Sequence, residues 1–118
     1  FRTDAARAAT LCVNPSTGRL FMDGRAVLQF AMNVVPDSLR RMAAANSLVL
    51  RELDRVVLHQ GSRVVVENIG EALGLADRTG FFIEDYGNTV SSSIPIALDE
   101  SLADPASAGS AATNIDAL

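Results

Sequence analysis

Residues 56–100 read VVLHQGSRVVVENIGEALGLADRTGFFIEDYGNTVSSSIPIALDE, and the fold turns on this stretch. Arg55-Val56-Val57-Leu58 is β-branched and too short for a helix, so it reads as a buried strand. The single histidine of the chain, His59, follows it directly. Ser62 suits the N-cap of the next helix, whose buried face would be Val65, Val66, Ile69, Ala72 and Leu73. Gly74 stands where a left-handed C-terminal residue is wanted. Phe81-Phe82-Ile83 reads as a second short strand. Tyr86-Gly87-Asn88-Thr89 is a turn, with Asn88 or Thr89 capping a last helix striped by Val90, Ile94, Ala97 and Leu98. Pro95 should bend that helix near Ser91. The order strand, helix, strand, helix predicts an α/β fold with a mainly parallel sheet and right-handed crossovers. Ligands bind such sheets beyond the carboxyl ends of the strands, where helices begin. His59 and Asn88 both lie at those ends and are expected to form half of an active site.

Outside this stretch the pattern is plainer. Ala8 to Val13 is compatible with a strand, and Asn14-Pro15-Ser16-Thr17-Gly18 with a loop. Arg19 to Met22 is a short strand closed by the turn pair Asp23-Gly24. From Arg25 the period becomes helical, with Ala26, Val27, Phe30, Ala31 and Val34 on one face. Pro36 should kink or restart this helix, because it removes a backbone donor and crowds the preceding turn. Leu39, Met42 and Ala43 continue the stripe to about Ala45. Residues 103–118, ADPASAGSAATNIDAL, are small, polar and nearly aperiodic, as in a flexible tail or a loop fragment. No internal repeat is present.

Composition narrows the possibilities further. The 118 residues fit one domain. Apolar residues are 48% but aromatic ones only 5%, so the core must rest on Ala, Val, Leu and Ile. A net charge of −4 argues against a nucleic-acid surface. The single cysteine, Cys12, excludes an internal disulfide framework and fits a reducing cytoplasm. No apolar run is long enough to span a membrane, and FRTDAARAATL lacks the apolar core of a signal peptide.

HQGSRVVVENIGEALGL followed by DYGNTVSSSIPIALDES resembles the C-terminal half of the β-ketoacyl-acyl-carrier-protein synthase III family, a branch of the thiolase-fold condensing enzymes. The likeness extends to Met22-Asp23-Gly24-Arg25-Ala26-Val27-Leu28-Gln29-Phe30-Ala31 and to Val35-Pro36. FRTDAARAATL is similar to a degraded copy of the family's FGDGAGAAVL segment, with Ala5 and Arg7 where glycines are usual. The GNT-x-x-x-S-x-P-x-A-L run, Gly87 to Leu98, is its most specific part. The resemblance implies a thiolase-like C-terminal lobe over residues 22–102, one half of a duplicated layered fold, with a mainly parallel mixed sheet and covering helices. Residues 1–21 would be a degraded strand and connector. The connector over residues 12–21 is shorter than the family's, and its closing strands are missing after Leu102, so the chain reads as an incomplete synthase.

The resemblance also implies chemistry. In the family a cysteine carries the acyl group, while a histidine and an asparagine hold the thioester carbonyl of a malonyl unit as it loses carbon dioxide. His59 and Asn88 match those two roles, and neutral donors of this kind stabilise a developing oxyanion. Gly24, Leu28, Gly61 and Ser62 match positions lining the phosphopantetheine tunnel. The substrates implied are thioesters of coenzyme A or of an acyl-carrier protein, with no bound cofactor and no metal. The partners implied are acyl-carrier protein or acyl-CoA and a second copy in a cytoplasmic homodimer. Ser62 and Val64 stand where the family has asparagine and arginine, the arginine here being displaced to Arg63.

Other signals have simpler readings. Gly-Asn-Thr is ordinary cap chemistry, and Asn88 can serve a turn while its side chain points inward. Gln60 suits fixing the His59 corner better than chemistry. Cys12 lacks any basic or helix-start context that would lower its pKa, and reads as a buried or inert thiol rather than the nucleophile, which is expected on a lobe outside these residues. Arg63 reads as surface charge, and Glu67 and Glu71 as solvent-facing rather than a metal pair. Glu84 and Asp85, as adjacent strand residues, should point to opposite faces and take no role. Two alternatives stay open: an acyltransferase of the same fold that does not decarboxylate, and a non-catalytic lobe for dimerisation or partner binding.

Overall fold

The computed structural model describes residues 5–103 of the chain. A 3-10 turn over Ala5–Thr10 leads into β1 (Leu11–Val13), which pairs antiparallel with β2 (Leu20–Met22). The register sets Leu11 opposite Met22 and Val13 opposite Leu20. Asn14 closes the hairpin loop, its Oδ1 accepting from the N–H groups of Ser16 and Thr17. The expected strand from Ala8 is therefore confined to its last three residues.

Asp23 is the N-cap of the long helix α1 (Gly24–Ala45), its carboxylate accepting from the Ala26 N–H at 3.0 Å. Asp23-Gly24 thus opens a helix rather than making a free turn. Pro36 lies inside α1 and is buried, and the helix runs through it from Gly24 to Ala45. The expected restart there does not occur, because burial of one face of a 22-residue helix offsets the loss of one donor.

Helix α2 (Arg63–Leu73) begins and ends as its sequence dictates. Ser62 Oγ accepts from the Val65 N–H at 3.3 Å, and Gly74 takes the left-handed conformation with φ +70°. Ile69, Leu73 and the following Leu75 form the core, against which Met32, Val35 and Leu39 of α1 pack, together with Leu50, Val56 and Leu58. Gly70 permits the close return of the chain, since a Cβ there would sit 3.3 Å from Ala76 Cα. Arg40 reaches across to donate to the Ala72 carbonyl and joins α1 to the end of α2.

The two expected parallel strands are not formed within this chain. Residues 55–58 are half-buried and outside any strand, and the Val56 N–H donates to Arg78 O, ahead of the second segment, at 2.9 Å. Arg78 adds side-chain bonds to the carbonyls of Arg51 and Leu53. Phe81 and Phe82 lie outside any strand, Phe82 with φ −128° and ψ 7°, and Ile83 begins α3 (Ile83–Tyr86), a single helical turn. A parallel strand gains little from one neighbour, and among the described residues neither segment has a partner on its other side. With Glu84 and Asp85 on a helical turn, the argument that they point to opposite faces of a strand does not apply.

A 3-10 turn at Val90–Ser92 runs into α4 (Ser93–Ala103). Pro95 sits in the first α-helical turn, where its missing N–H has no intrahelical partner to lose. No helix among the described residues is long and apolar enough to cross a membrane. The tail reading for residues 103–118 falls, from residue 104 on, outside the described residues.

Candidate active site

The two segments meet at the His59 corner, and Gln60 is what joins them. It is 2% exposed. Its Nε2 donates to Leu58 O at 3.0 Å and to Gly80 O at 3.4 Å, and its Oε1 accepts from the Phe82 N–H at 3.0 Å. One carboxamide therefore stands in for ladder bonds between residues 58–60 and 80–82.

His59 projects from this corner and is exposed, yet one of its ring nitrogens is tied down. Nδ1 lies 2.6 Å from Ser93 Oγ, at the start of α4. Ser93 is 2% exposed, and its hydroxyl also accepts from the Gln60 N–H at 3.3 Å and lies 3.0 Å from Val90 O. The other ring nitrogen faces Gly61, where a Cβ would come within 3.3 Å of Nε2 and 3.2 Å of Cδ2. Glycine at 61 thus keeps the Nε2 edge of the ring clear.

Asn88 is exposed, and its Oδ1 accepts from the Val90 N–H at 3.0 Å, which leaves the Nδ2 hydrogens as the outward pole of its carboxamide. Val90 is the hinge of the arrangement. Its N–H holds Asn88 and its carbonyl faces Ser93, which in turn holds His59. Val90 adopts φ +55°, a conformation that costs a β-branched residue roughly 1–2 kcal/mol. Strain of this kind persists where the surroundings over-determine a backbone. The imidazole and the carboxamide are thus linked through Val90 and Ser93.

The remaining candidates are more dispersed. Gly24 opens α1 and is exposed, while Leu28 is half-buried one turn further on. Gly61 and Ser62 are half-buried between His59 and α2. Arg63 pairs with Glu67 at 2.9 Å and with Glu84, and its guanidinium lies 4.0 Å from the centre of the Phe81 ring. These carboxylates hold the Arg63 pKa above its ordinary value, the Glu67 bond first and Glu84 second. Val64, by contrast, is exposed and apolar. Cys12 is exposed on β1, which corrects the reading of a buried thiol; its Sγ donates to Ala9 O. Thr89 Oγ1 is buried without a hydrogen-bond partner beside a cavity of about 10 Å³ that Gln60, Phe82 and Ser93 also line.

Sequence reasoning passed over Ser93 and Val90. Ser93 was visible only as the serine of the GNT-x-x-x-S spacing, and the backbone of Val90 carries no residue-type signal at all.

The helix-covered arrangement that presents this corner is similar to synthases of known structure. The sequence model described as 3-oxoacyl-[acyl-carrier-protein (ACP)] synthase III C terminal matches residues 43–112. The chain belongs to that family. Gly24 and Leu28 fall outside the matched span. The β-ketoacyl-[acyl-carrier-protein] synthase III of Staphylococcus saprophyticus is 30% identical over 101 residues, covering 85% of this chain and 32% of the relative. That of Staphylococcus aureus strain Newman is 31% identical with the same coverage. The chain superposes on the crystal structure of 3-oxoacyl-(acyl carrier protein) synthase III from Pseudomonas aeruginosa PAO1 with a TM-score of 0.77 and 29% identity, covering 86% of this chain and 33% of that one. The Thermus thermophilus synthase III gives 0.75 and 31%, with 85% and 35% covered. The chain therefore spans about a third of the length of the curated relatives it matches.

Proposed function

We propose that this chain supplies the histidine and asparagine of an acyl-thioester condensing enzyme that performs a decarboxylative Claisen condensation. The observation that carries the reading is the shared anchoring of the two side chains through Val90. Asn88 has its acceptor pole occupied and its donor pole free, and His59 has Nδ1 occupied and Nε2 clear. In the reaction the carbon–carboxylate bond of a malonyl thioester breaks, and its electron pair moves toward the thioester oxygen. Donors aimed at that oxygen stabilise the enolate as it forms. The enolate carbon then attacks an acyl thioester carried on a cysteine, and that cysteine leaves as the thiolate. The acyl-carrying cysteine belongs, on this reading, to a lobe outside these residues.

The substrates are thioesters of an acyl-carrier protein, which the names of the relatives print, or of coenzyme A, with Gly24, Leu28, Gly61 and Ser62 along the path of the phosphopantetheine arm. Residues 55–58 and 81–82 become strands of a mainly parallel sheet when the rest of the synthase packs against them, in a cytoplasmic homodimer. Residues 22–102 are then the C-terminal lobe. The test is malonyl-thioester decarboxylation by the full-length enzyme. His59→Ala and Asn88→Ala should each lower the rate about 100-fold or more. Unchanged decarboxylation in both variants would remove the assignment.

A second reading draws on the two acceptors within reach of the Ser93 hydroxyl. If its proton goes to Val90 O, the neutral His59 carries its proton on Nδ1 and offers Nε2 as a base, which suits acyl transfer to an alcohol without decarboxylation. Products formed with a malonyl thioester and with an alcohol acceptor separate the two.

A further inference from the structure

We propose that Ser93 is a positioning residue that sets the tautomer of His59, donating its hydroxyl proton to Nδ1 so that the neutral imidazole presents an N–H at Nε2. The inference rests on the proposed oxyanion role of His59 only for its consequence in catalysis; the hydrogen bond stands without it.

Two arrangements satisfy the geometry, and distance discriminates between them. In the first, Nδ1–H donates to Ser93 Oγ and the hydroxyl donates to Val90 O. In the second, the hydroxyl donates to Nδ1. The hydroxyl oxygen lies 2.6 Å from Nδ1, so the ring nitrogen is its nearer acceptor. The Val90 carbonyl lies farther from the hydroxyl, at 3.0 Å, and already receives the backbone N–H of Ser93 itself. It is not orphaned when the hydroxyl turns away. The Gln60 N–H, at 3.3 Å from Oγ, fills a lone pair of the hydroxyl and leaves its proton free to point at the ring. Ser93 is 2% exposed, so water does not compete for this bond. A neutral imidazole that accepts at Nδ1 must carry its proton at Nε2. That nitrogen lies on the side kept open by Gly61.

The experiment uses the full-length enzyme labelled with nitrogen-15 in histidine, with the His59 resonances assigned by their loss in His59→Gln. The Nε2–H tautomer should dominate in the unsubstituted protein. Ser93→Ala should shift the ring toward a mixture of tautomers and lower malonyl-thioester decarboxylation about 10-fold through kcat, with KM little changed. Its pH–rate profile should shift as well, which a merely structural defect would not cause. Ser93→Thr keeps the hydroxyl and should restore the tautomer, whereas the isosteric Ser93→Val should not. This pair controls for packing, since both add the same branch. A Nδ1–H tautomer in the unsubstituted enzyme, or an unaltered tautomer in both Ser93→Ala and Ser93→Val, overturns the proposal. If the tautomer responds to these substitutions while His59→Ala still decarboxylates normally, the proposed function fails and the Ser93 assignment survives.

Discussion

At the scale of single residues, the corner depends on groups that have no substitute. Gln60 closes three hydrogen bonds from a buried position, and an apolar side chain there would strand the Phe82 N–H and the Leu58 carbonyl. Each buried orphan costs about 1–3 kcal/mol. Gln60→Leu should therefore destabilise the fold by roughly 2–4 kcal/mol, read as a lower denaturant midpoint at unchanged slope. Tyr86 offers a pH-dependent counterpart. Its hydroxyl donates to Glu100, which raises the phenol pKa above the ordinary value; the Glu100 charge adds to the effect. The bond contributes fully below the ordinary tyrosine range and is lost as pH rises through the raised value. Glu100→Gln should bring the phenolate absorbance transition of Tyr86 back toward its usual pH. His59 and Asn88 stood out in the sequence by residue type and chain position. The Val90 turn that joins them did not, because a positive φ at valine is imposed by its surroundings and contradicts its local preference.

At the scale of elements, helix α2 is the part whose sequence and structure agree most closely. Its cap, its apolar face and its terminating glycine are all local signals, and local interactions realise them. Gly74 at φ +70° has an open environment, where an added Cβ would meet Arg51 Nη2 at 3.8 Å, so Gly74→Ala should cost about 1 kcal/mol through backbone strain alone. Ile69, 2% exposed at the centre of the core, should cost about 2–5 kcal/mol when cut to alanine. Thermal or urea unfolding of the two variants separates strain from cavity formation by this difference in size. The failures at this scale share one cause. Residues 55–58 and 81–83 have strand-forming composition, but a strand is completed by its neighbours. Pro36 breaks a helix only where nothing else holds it, and α1 is held along its length by packing onto α2.

At the scale of the whole molecule, the apolar surface is large. Leu20, Phe21 and Met22 of the hairpin, Val64 of α2 and Ile94, Leu98 and Leu102 of α4 are all exposed. Surfaces of this kind associate unless they are covered. These 118 residues expressed by themselves should therefore sediment above monomer mass or aggregate. A sharply melting monomer by calorimetry and sedimentation would contradict that expectation.

Sequence by itself determined the three longer helices, the caps of α2, and the two side chains to watch. Those follow from period, residue type and local hydrogen bonding. It also carried the family resemblance, through the run from Gly87 to Leu98. Tertiary structure alone decided that Asp23 caps α1, that Gln60 joins two segments that form no ladder, that Pro36 sits within an unbroken helix, and that Ser93 meets His59 across 34 positions of chain. Each of these depends on what lies alongside a residue in space, and a contact between distant segments leaves no mark in the local pattern of either.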